Sequence, residues 1–269
     1  MLAADCHVHS GFSSDADTPV EQMIEAAIAQ GRRYFYLTDH HDIDYPVGED
    51  ERDFILDMES YLATLEQLRN KYQPKIEIRT GMELGLQAQI ADKVNAFAAK
   101  YPVDFVIGSS HLVHGQDPYY AEYYEGKTEQ QAYEQYFLSI LENAQAFDCF
   151  QVYGHLDYIV RYGHGGAASY HCSDYVDIID EILRTAIEKG IGIELNTSGL
   201  RQEAKETLPS LAILRLYRSL GGEIITLGSD AHTPDFAGCA IREGQALLKA
   251  CGFGRFCTFD GGAPVWHEL

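Results

Sequence analysis

Residues 2–40 read LAADCHVHSGFSSDADTPVEQMIEAAIAQGRRYFYLTDH and hold one whole structural unit. Leu2 to His9 is a short apolar run ending in His7-Val8-His9, and Tyr34 to His40 is a second, ending in Thr38-Asp39-His40. Between them Met23, Ile24, Ala27 and Ile28 recur at helical spacing. Thr18-Pro19-Val20-Glu21 offers a cap, a first-turn proline and a capping-box glutamate, and Gly31 offers a left-handed stop. Strand, helix, strand is a crossover unit, and it sets the two strands parallel.

The same alternation continues along the chain. Further strands are expected at Ile76 to Glu83, Val103 to His111, Cys149 to His155, Ile191 to Asn196 and Glu223 to Asp230. Further helices are expected at Glu51 to Tyr72, Gln87 to Lys100, Thr128 to Phe147, Ser173 to Lys189, Thr207 to Leu220 and Ile241 to Cys251. Thr128-Glu129-Gln130-Gln131 is a second capping box, while Gly190 and Gly221 are further stops. Seven units suit a distorted, incomplete relative of the eight-fold barrel; an open doubly wound sheet has the same periodicity. With no linker or repeat, residues 1–269 read as one domain. Two long polar connections, Val113 to Lys127 and Arg161 to Cys172 (with Gly163, Gly165 and Gly166), are placed to cover a site.

Composition narrows the function. The 269 residues carry 41 acidic and 20 basic side chains, a formal charge of −21 that disfavours binding to a nucleic-acid backbone. At 46% hydrophobic and 23% charged the chain is globular in type. No apolar run reaches the length of a membrane span, and the start lacks a basic region followed by an apolar stretch, so a cytoplasmic location is expected. Six cysteines without a C-x-x-C pair read as free thiols rather than a zinc site.

Histidine carries the chemistry. In a strand–helix barrel the reactive groups sit at the C-terminal strand ends. Those ends are His7-Val8-His9, Thr38-Asp39-His40-His41, Glu83, His111, His155-Leu156-Asp157, Asn196 and Asp230-Ala231-His232. Alternate residues of a strand share a face, so His7 and His9 can hold one ion while Val8 points away. Imidazole and carboxylate converging from several strands suit zinc, iron or manganese.

The motifs Asp5-Cys6-His7-Val8-His9-Ser10, Thr38-Asp39-His40, Gly81-Met82-Glu83, Gly108-Ser109-Ser110-His111, Gly154-His155-Leu156-Asp157 and Ser229-Asp230-Ala231-His232 resemble the polymerase and histidinol phosphatase (PHP) superfamily, in its order, from residue 5 to about 232. Phe12-Ser13-Ser14-Asp15, Asp157-Tyr158-Ile159-Val160-Arg161-Tyr162 and Glu194-Leu195-Asn196-Thr197-Ser198-Gly199-Leu200-Arg201 are most similar to its monofunctional L-histidinol-phosphate phosphatases. The resemblance implies a distorted (β/α)7 barrel and three divalent ions. One would be held by His7, His9, Glu83 and Asp230. A second would be held by His111 and His155 with Glu83 bridging, and a third by Asp15, His40 and His232. Many relatives have histidine at the Asp15 position, and Asp17 is a rival ligand there. Arg161 and Arg201 would grip a substrate phosphate in fork geometry.

The activity implied is hydrolysis of a small phosphomonoester, L-histidinol phosphate, by hydroxide generated on the metals. Three ions offset by Glu83, Asp15, Asp230 and a hydroxide leave roughly two positive charges, enough to admit a phosphate dianion into an acidic protein. The group that protonates the leaving alkoxide stays open among a metal-bound water, His232 and an acidic side chain. Alternatives are a PHP phosphoesterase for nucleotides or other small phosphate esters, an amidohydrolase, and a non-catalytic metal-binding regulator. Asp5, Asp39 and Asp157 are expected to orient ligating imidazoles. His41 is expected to pack, His114 and His164 to lie solvated in loops, and His267 to sit on the tail surface. Tyr119, Tyr120, Tyr123 and Tyr124 are expected either to stack on a substrate ring or to pack under a loop.

Overall fold

The computed structural model describes residues 4–46, 53–163, 170–202 and 205–269. The positions Leu2, Glu51, His164, Gly165 and Gly166, invoked above, lie outside the described residues.

Strands β1 (Ala4–Asp5), β2 (Tyr34–Leu37), β3 (His40–His41), β4 (Glu77–Gly85), β5 (Phe105–Ser109), β6 (Val152–Tyr153), β7 (Gly192–Asn196) and β8 (Ile225–Gly228) form one sheet. Every pairing in it is parallel, in the order β1-β2-β4-β5-β6-β7-β8, with β3 also on β4. Beyond β1 and β8 the chain closes the circle. Val8 bridges Ala231, the Cys6 N–H donates to the Leu227 carbonyl at 2.9 Å, and the Asp230 N–H donates to the His7 carbonyl at 2.8 Å. That closure selects the distorted (β/α)7 barrel over the open sheet. The strands are buried on both faces, as a helix-wrapped parallel sheet requires: all five residues of β5 and of β7 are buried.

The expected second strand is two. Its continuity breaks at Thr38-Asp39, where side-chain bonds add to the main-chain bonds from Thr38 N–H to the Val8 carbonyl and from Glu83 N–H to the Asp39 carbonyl. The Thr38 hydroxyl accepts from the Val8 N–H at 3.0 Å, and the Asp39 carboxylate accepts from the Ser10 N–H at 2.6 Å. The register with β4 runs on unchanged across the break, Leu37 facing Thr80 and His40 facing Glu83.

Helices α1 (Val20–Ala29), α2 (Met58–Tyr72), α3 (Ala91–Lys100), α4 (Glu129–Ala146), α5 (Val176–Glu188), α6 (Leu211–Ser219) and α7 (Ile241–Ala250) fill the crossovers. The Thr128 capping box forms as read, with both reciprocal bonds. The box at Thr18 does not. Pro19 is the N-cap, and the Thr18 hydroxyl donates instead to the His232 carbonyl at 3.3 Å, linking α1 to the far end of the chain. Helix α2 starts later than its pattern suggests, at Asp57, whose carboxylate accepts from the Ser60 N–H. Gly31, Gly190 and Gly221 all have positive φ at helix ends.

An antiparallel hairpin, β9 (Arg255–Asp260) and β10 (Ala263–Glu268), has no counterpart in the sequence reading. Phe259 stacks on Phe105 at 5.0 Å between ring centres, and the Cys257 thiol donates to the Ile225 carbonyl at 3.5 Å. Phe105 and Ile225 begin their strands, so the hairpin plugs the end of the barrel opposite the histidines. His267 lies in β10 with its ring 5.3 Å from Phe256 and is partly buried, not a tail-surface group. All six cysteines are free thiols, and burial pushes that of Cys257 up to about 12. No described helix is long and apolar enough to cross a membrane.

Candidate metal centre

The C-terminal strand ends bring all nine expected ligands together. His7 and His9 leave β1 on one face and meet at 3.0 Å between their Nε2 atoms. Glu83, fully buried on β4, stands in the middle. Its Oε2 lies 3.3 Å from His7 Nε2, 3.5 Å from His9 Nε2 and 3.0 Å from His40 Nδ1. Its Oε1 lies 2.8 Å from His155 Nε2 and 3.3 Å from His111 Nε2. Asp230 Oδ1 is 3.5 Å from His9 Nε2 and 3.8 Å from His7 Nε2. Asp15 Oδ2 is 3.2 Å from His232 Nε2 and 3.5 Å from His40 Nε2. Four triads of ligand atoms fall within a coordination sphere: His7–His9–Asp230, His7–Glu83–His155, His40–Glu83–His111 and His9–His40–His232.

The donor set fits divalent cations on an observation independent of any pattern. Glu83 Oε2, His40 Nδ1 and His155 Nδ1 are buried and make no hydrogen bond. An unpaired buried oxygen facing three ring nitrogens is costly unless a cation lies between them. Burial opposes the Glu83 charge, yet His7, His40 and His111 hold its carboxyl well below the usual range. Burial, with His232 and His40 on either side, pushes His9 down to about 3, so its ring is neutral and its lone pair free to coordinate. Asp17 has no contact with these rings.

The imidazoles are oriented by groups the sequence reading missed. His7 Nδ1 is 2.8 Å from Glu194 Oε1, His111 Nδ1 is 2.6 Å from Asp42 Oδ1, and His9 Nδ1 is 3.1 Å from the Ser13 hydroxyl. Asp5, Asp39 and Asp157 do not touch these rings. Asp5 accepts from the Ser229 N–H and hydroxyl, Asp39 from Ser10 and Ser13, and Asp157 from the Ser210 N–H. They fasten loops, and Asp39 reaches the His9 ring only through the Ser13 hydroxyl. Glu194 sits on strand β7 two residues before Asn196, and an acid within an otherwise apolar strand was its available signal.

A cavity of about 140 Å³ opens beside the centre, lined on its inner side by His40, His111, His155, Asp230, His232 and Arg161. Arg161 Nη2 donates to Asp230 Oδ2 at 2.8 Å and to the Ser198 hydroxyl at 2.6 Å, while its buried Nε has no partner. Arg201 stands outside that lining. Its fork donates to the Ser229 and Asp230 carbonyls at 2.8 and 3.3 Å, over the Phe236 ring. His41 packs as expected, stacked 3.6 Å from Phe97, and His114 is exposed against Glu142. The tyrosine group divides: Tyr123 and Tyr124 are buried, Tyr119 and Tyr120 exposed.

The PHP domain family model matches residues 5–198. A histidinol-phosphatase of Lactococcus lactis subsp. lactis is 32% identical over 262 residues, covering 97% of this chain and 96% of the relative. A crystal structure of histidinol phosphate phosphatase from the same organism, complexed with zinc, L-histidinol and phosphate, superposes with a TM-score of 0.90 at 32% identity, covering 98% of this chain and 100% of that one. The putative histidinol phosphatase of Listeria monocytogenes, 20% identical, shares the fold at a TM-score of 0.78, over 89% of this chain and 99% of that one. This chain belongs to the PHP domain family.

Proposed function

We propose that the chain is a metal-dependent phosphomonoesterase that hydrolyses L-histidinol phosphate to L-histidinol and phosphate, in histidine biosynthesis. One observation carries the reading: a partly buried arginine whose Nε–H is buried and unpaired shares a small cavity with a histidine–carboxylate cluster built for cations. The full-length likeness to a phosphatase crystallised with zinc and both products supports the substrate.

His7, His9, Glu83 and Asp230 would hold one divalent ion, His111, His155 and Glu83 a second, and Asp15, His40 and His232 a third, of zinc, iron or manganese. Such ions acidify water to a nucleophile and draw charge from the phosphoryl oxygens. Arg161 supplies the fork for those oxygens from the cavity wall. Arg201 adds positive charge behind Asp230 and fixes the backbone that presents it; its remaining N–H groups serve the same anion. Glu194, Asp42 and Ser13 hold the ring orientations. Residues 1–269 act as one domain, in the reducing cytoplasm that free thiols suit.

The test is phosphate release from L-histidinol phosphate beside a panel of nucleoside monophosphates, before and after exhaustive chelation. L-Histidinol phosphate is expected to be preferred and chelated protein to be inert. A preference for nucleotides by about tenfold or more would overturn the substrate; full activity after chelation would overturn the metal centre.

A further inference from the structure

The outer wall of the same cavity has an opposite character. It is formed by Tyr45, Phe54, Asp117, Tyr158 and Tyr162. Asp117 comes from the long loop after β5 and is held by two donors, the Tyr45 hydroxyl on Oδ2 at 2.5 Å and the Tyr119 N–H on Oδ1 at 2.7 Å. No cation pairs with it among the described residues. Asp42, the other acid near this wall, is already committed to His111.

The rings around Asp117 are locked to one another and to the centre. Tyr45 lies 4.6 Å from Phe54, whose ring meets His40 edge-on at 5.6 Å. Tyr158 lies 5.0 Å from His155, and its hydroxyl accepts from Tyr162 at 3.0 Å; the Tyr162 ring meets Tyr119 at 5.4 Å. Aromatic faces are electron-rich and attract cations. The Tyr158 face is taken by the Arg161 guanidinium, 5.0 Å from its ring centre, so the cavity is bipolar between Asp117 with the Tyr45 and Phe54 rings on one side and Arg161 with the cation cluster on the other.

We infer that Asp117, latched by Tyr45, is the specificity determinant that reads a positive charge on the leaving group, so that the site selects small phosphomonoesters bearing an ammonium or imidazolium. The inference rests on the phosphatase reading and deepens it. An ester enters with its phosphate toward Arg161 and its cation toward the Tyr45 side, where Asp117 replaces lost hydration. Asp117 touches the part of the substrate that does not react, so its contribution appears in binding and is indifferent to the bond broken.

The experiment compares the metal-loaded enzyme with Asp117→Asn and Tyr45→Phe on L-histidinol phosphate, phosphoethanolamine and the neutral-leaving-group ester 4-nitrophenyl phosphate. Asparagine removes the charge; its one carbonyl oxygen can still accept from the Tyr119 N–H, and its amide N–H then faces the Tyr45 hydroxyl, which can turn to accept. Asp117→Asn is expected to lower kcat/KM about 10- to 100-fold on the two cationic esters, mainly through KM. On 4-nitrophenyl phosphate it is expected to stay within about twofold. Tyr45→Phe is expected to show the same split at smaller size. Equal losses on all three esters, or no loss on any, would overturn the role of Asp117. If the unaltered enzyme ignores L-histidinol phosphate but favours phosphoethanolamine over the neutral ester in an Asp117-dependent way, the named substrate fails and the charge-reading wall stands.

Discussion

The two ends of the barrel contrast in what they do for the protein. At one end, six strands lead into buried imidazoles and carboxylates, several of them unpaired. Asp230 there sits in the left-handed region at φ +54°, a conformation that costs a non-glycine residue about 1–2 kcal/mol. At the other end, Tyr36, Phe105, Phe256, Cys257 and Phe259 close the axis beneath a regular hairpin. Groups gathered for chemistry repel and desolvate one another, so folding must draw its favourable energy elsewhere, and the plugged end is one place that provides it. Damage to one end should spare the property that depends on the other.

The largest effect belongs to the reactive end. Replacing His7 and His9 together by alanine should cost at least about 1,000-fold in turnover, because activation of water by metal contributes several kcal/mol. Metal analysis should show one ion fewer per chain. Amide protection of the β9–β10 hairpin should be retained in the variant. Near-normal turnover would break the assignment, and loss of that protection would break the contrast. Next comes Phe259→Ala at the plugged end. Deleting a fully packed ring costs about 3–5 kcal/mol, read by denaturant unfolding, with turnover per folded molecule unchanged. Lost turnover in the folded fraction would show that the ends are coupled.

A third change probes the border between holding and reacting. Glu194→Gln keeps the volume but weakens the partner of His7 Nδ1, and such outer partners are worth about 10- to 100-fold in metal affinity. Titration of chelated protein with zinc should show that loss at a single site. Unaltered affinity would mean that the contacts of Glu194 Oε2 with the Asn196 side-chain amide and the His155 backbone N–H are its whole role.

Legibility in the sequence follows the same division. The barrel could be read because each crossover repeats one pattern and each strand end breaks an apolar run with histidine or acid, as at His111 and His155. Closure could not be read, since it depends on backbone bonds between Val8 and Ala231 that periodicity does not encode. The orienting acids were misassigned to Asp5, Asp39 and Asp157 because adjacency along the chain suggested them. The partners of His111 and His7, Asp42 and Glu194, reach those rings only across strands. The hairpin was missed although Asp260-Gly261-Gly262 carries a two-glycine turn signal, with φ of +55° and +79° at the glycines.

The smallest change sharpens how that hairpin is held. Among the described residues strand β9 pairs only with β10, and its other edge has no ladder partner there. Tyr36 on β2 stands in for one: its hydroxyl donates to the Phe259 carbonyl at 2.5 Å and accepts from the Phe259 N–H at 3.1 Å. One side chain thereby satisfies both main-chain groups of a buried residue. Tyr36→Phe keeps the ring against Phe105 and removes that atom alone, leaving a donor and an acceptor stranded, at a cost of about 1–3 kcal/mol in unfolding free energy. Amide exchange at Phe259 should quicken while that of the β9–β10 ladder is retained. If exchange across the whole ladder quickens to the same degree, Tyr36 is the clasp of the entire plug rather than the partner of a single peptide edge.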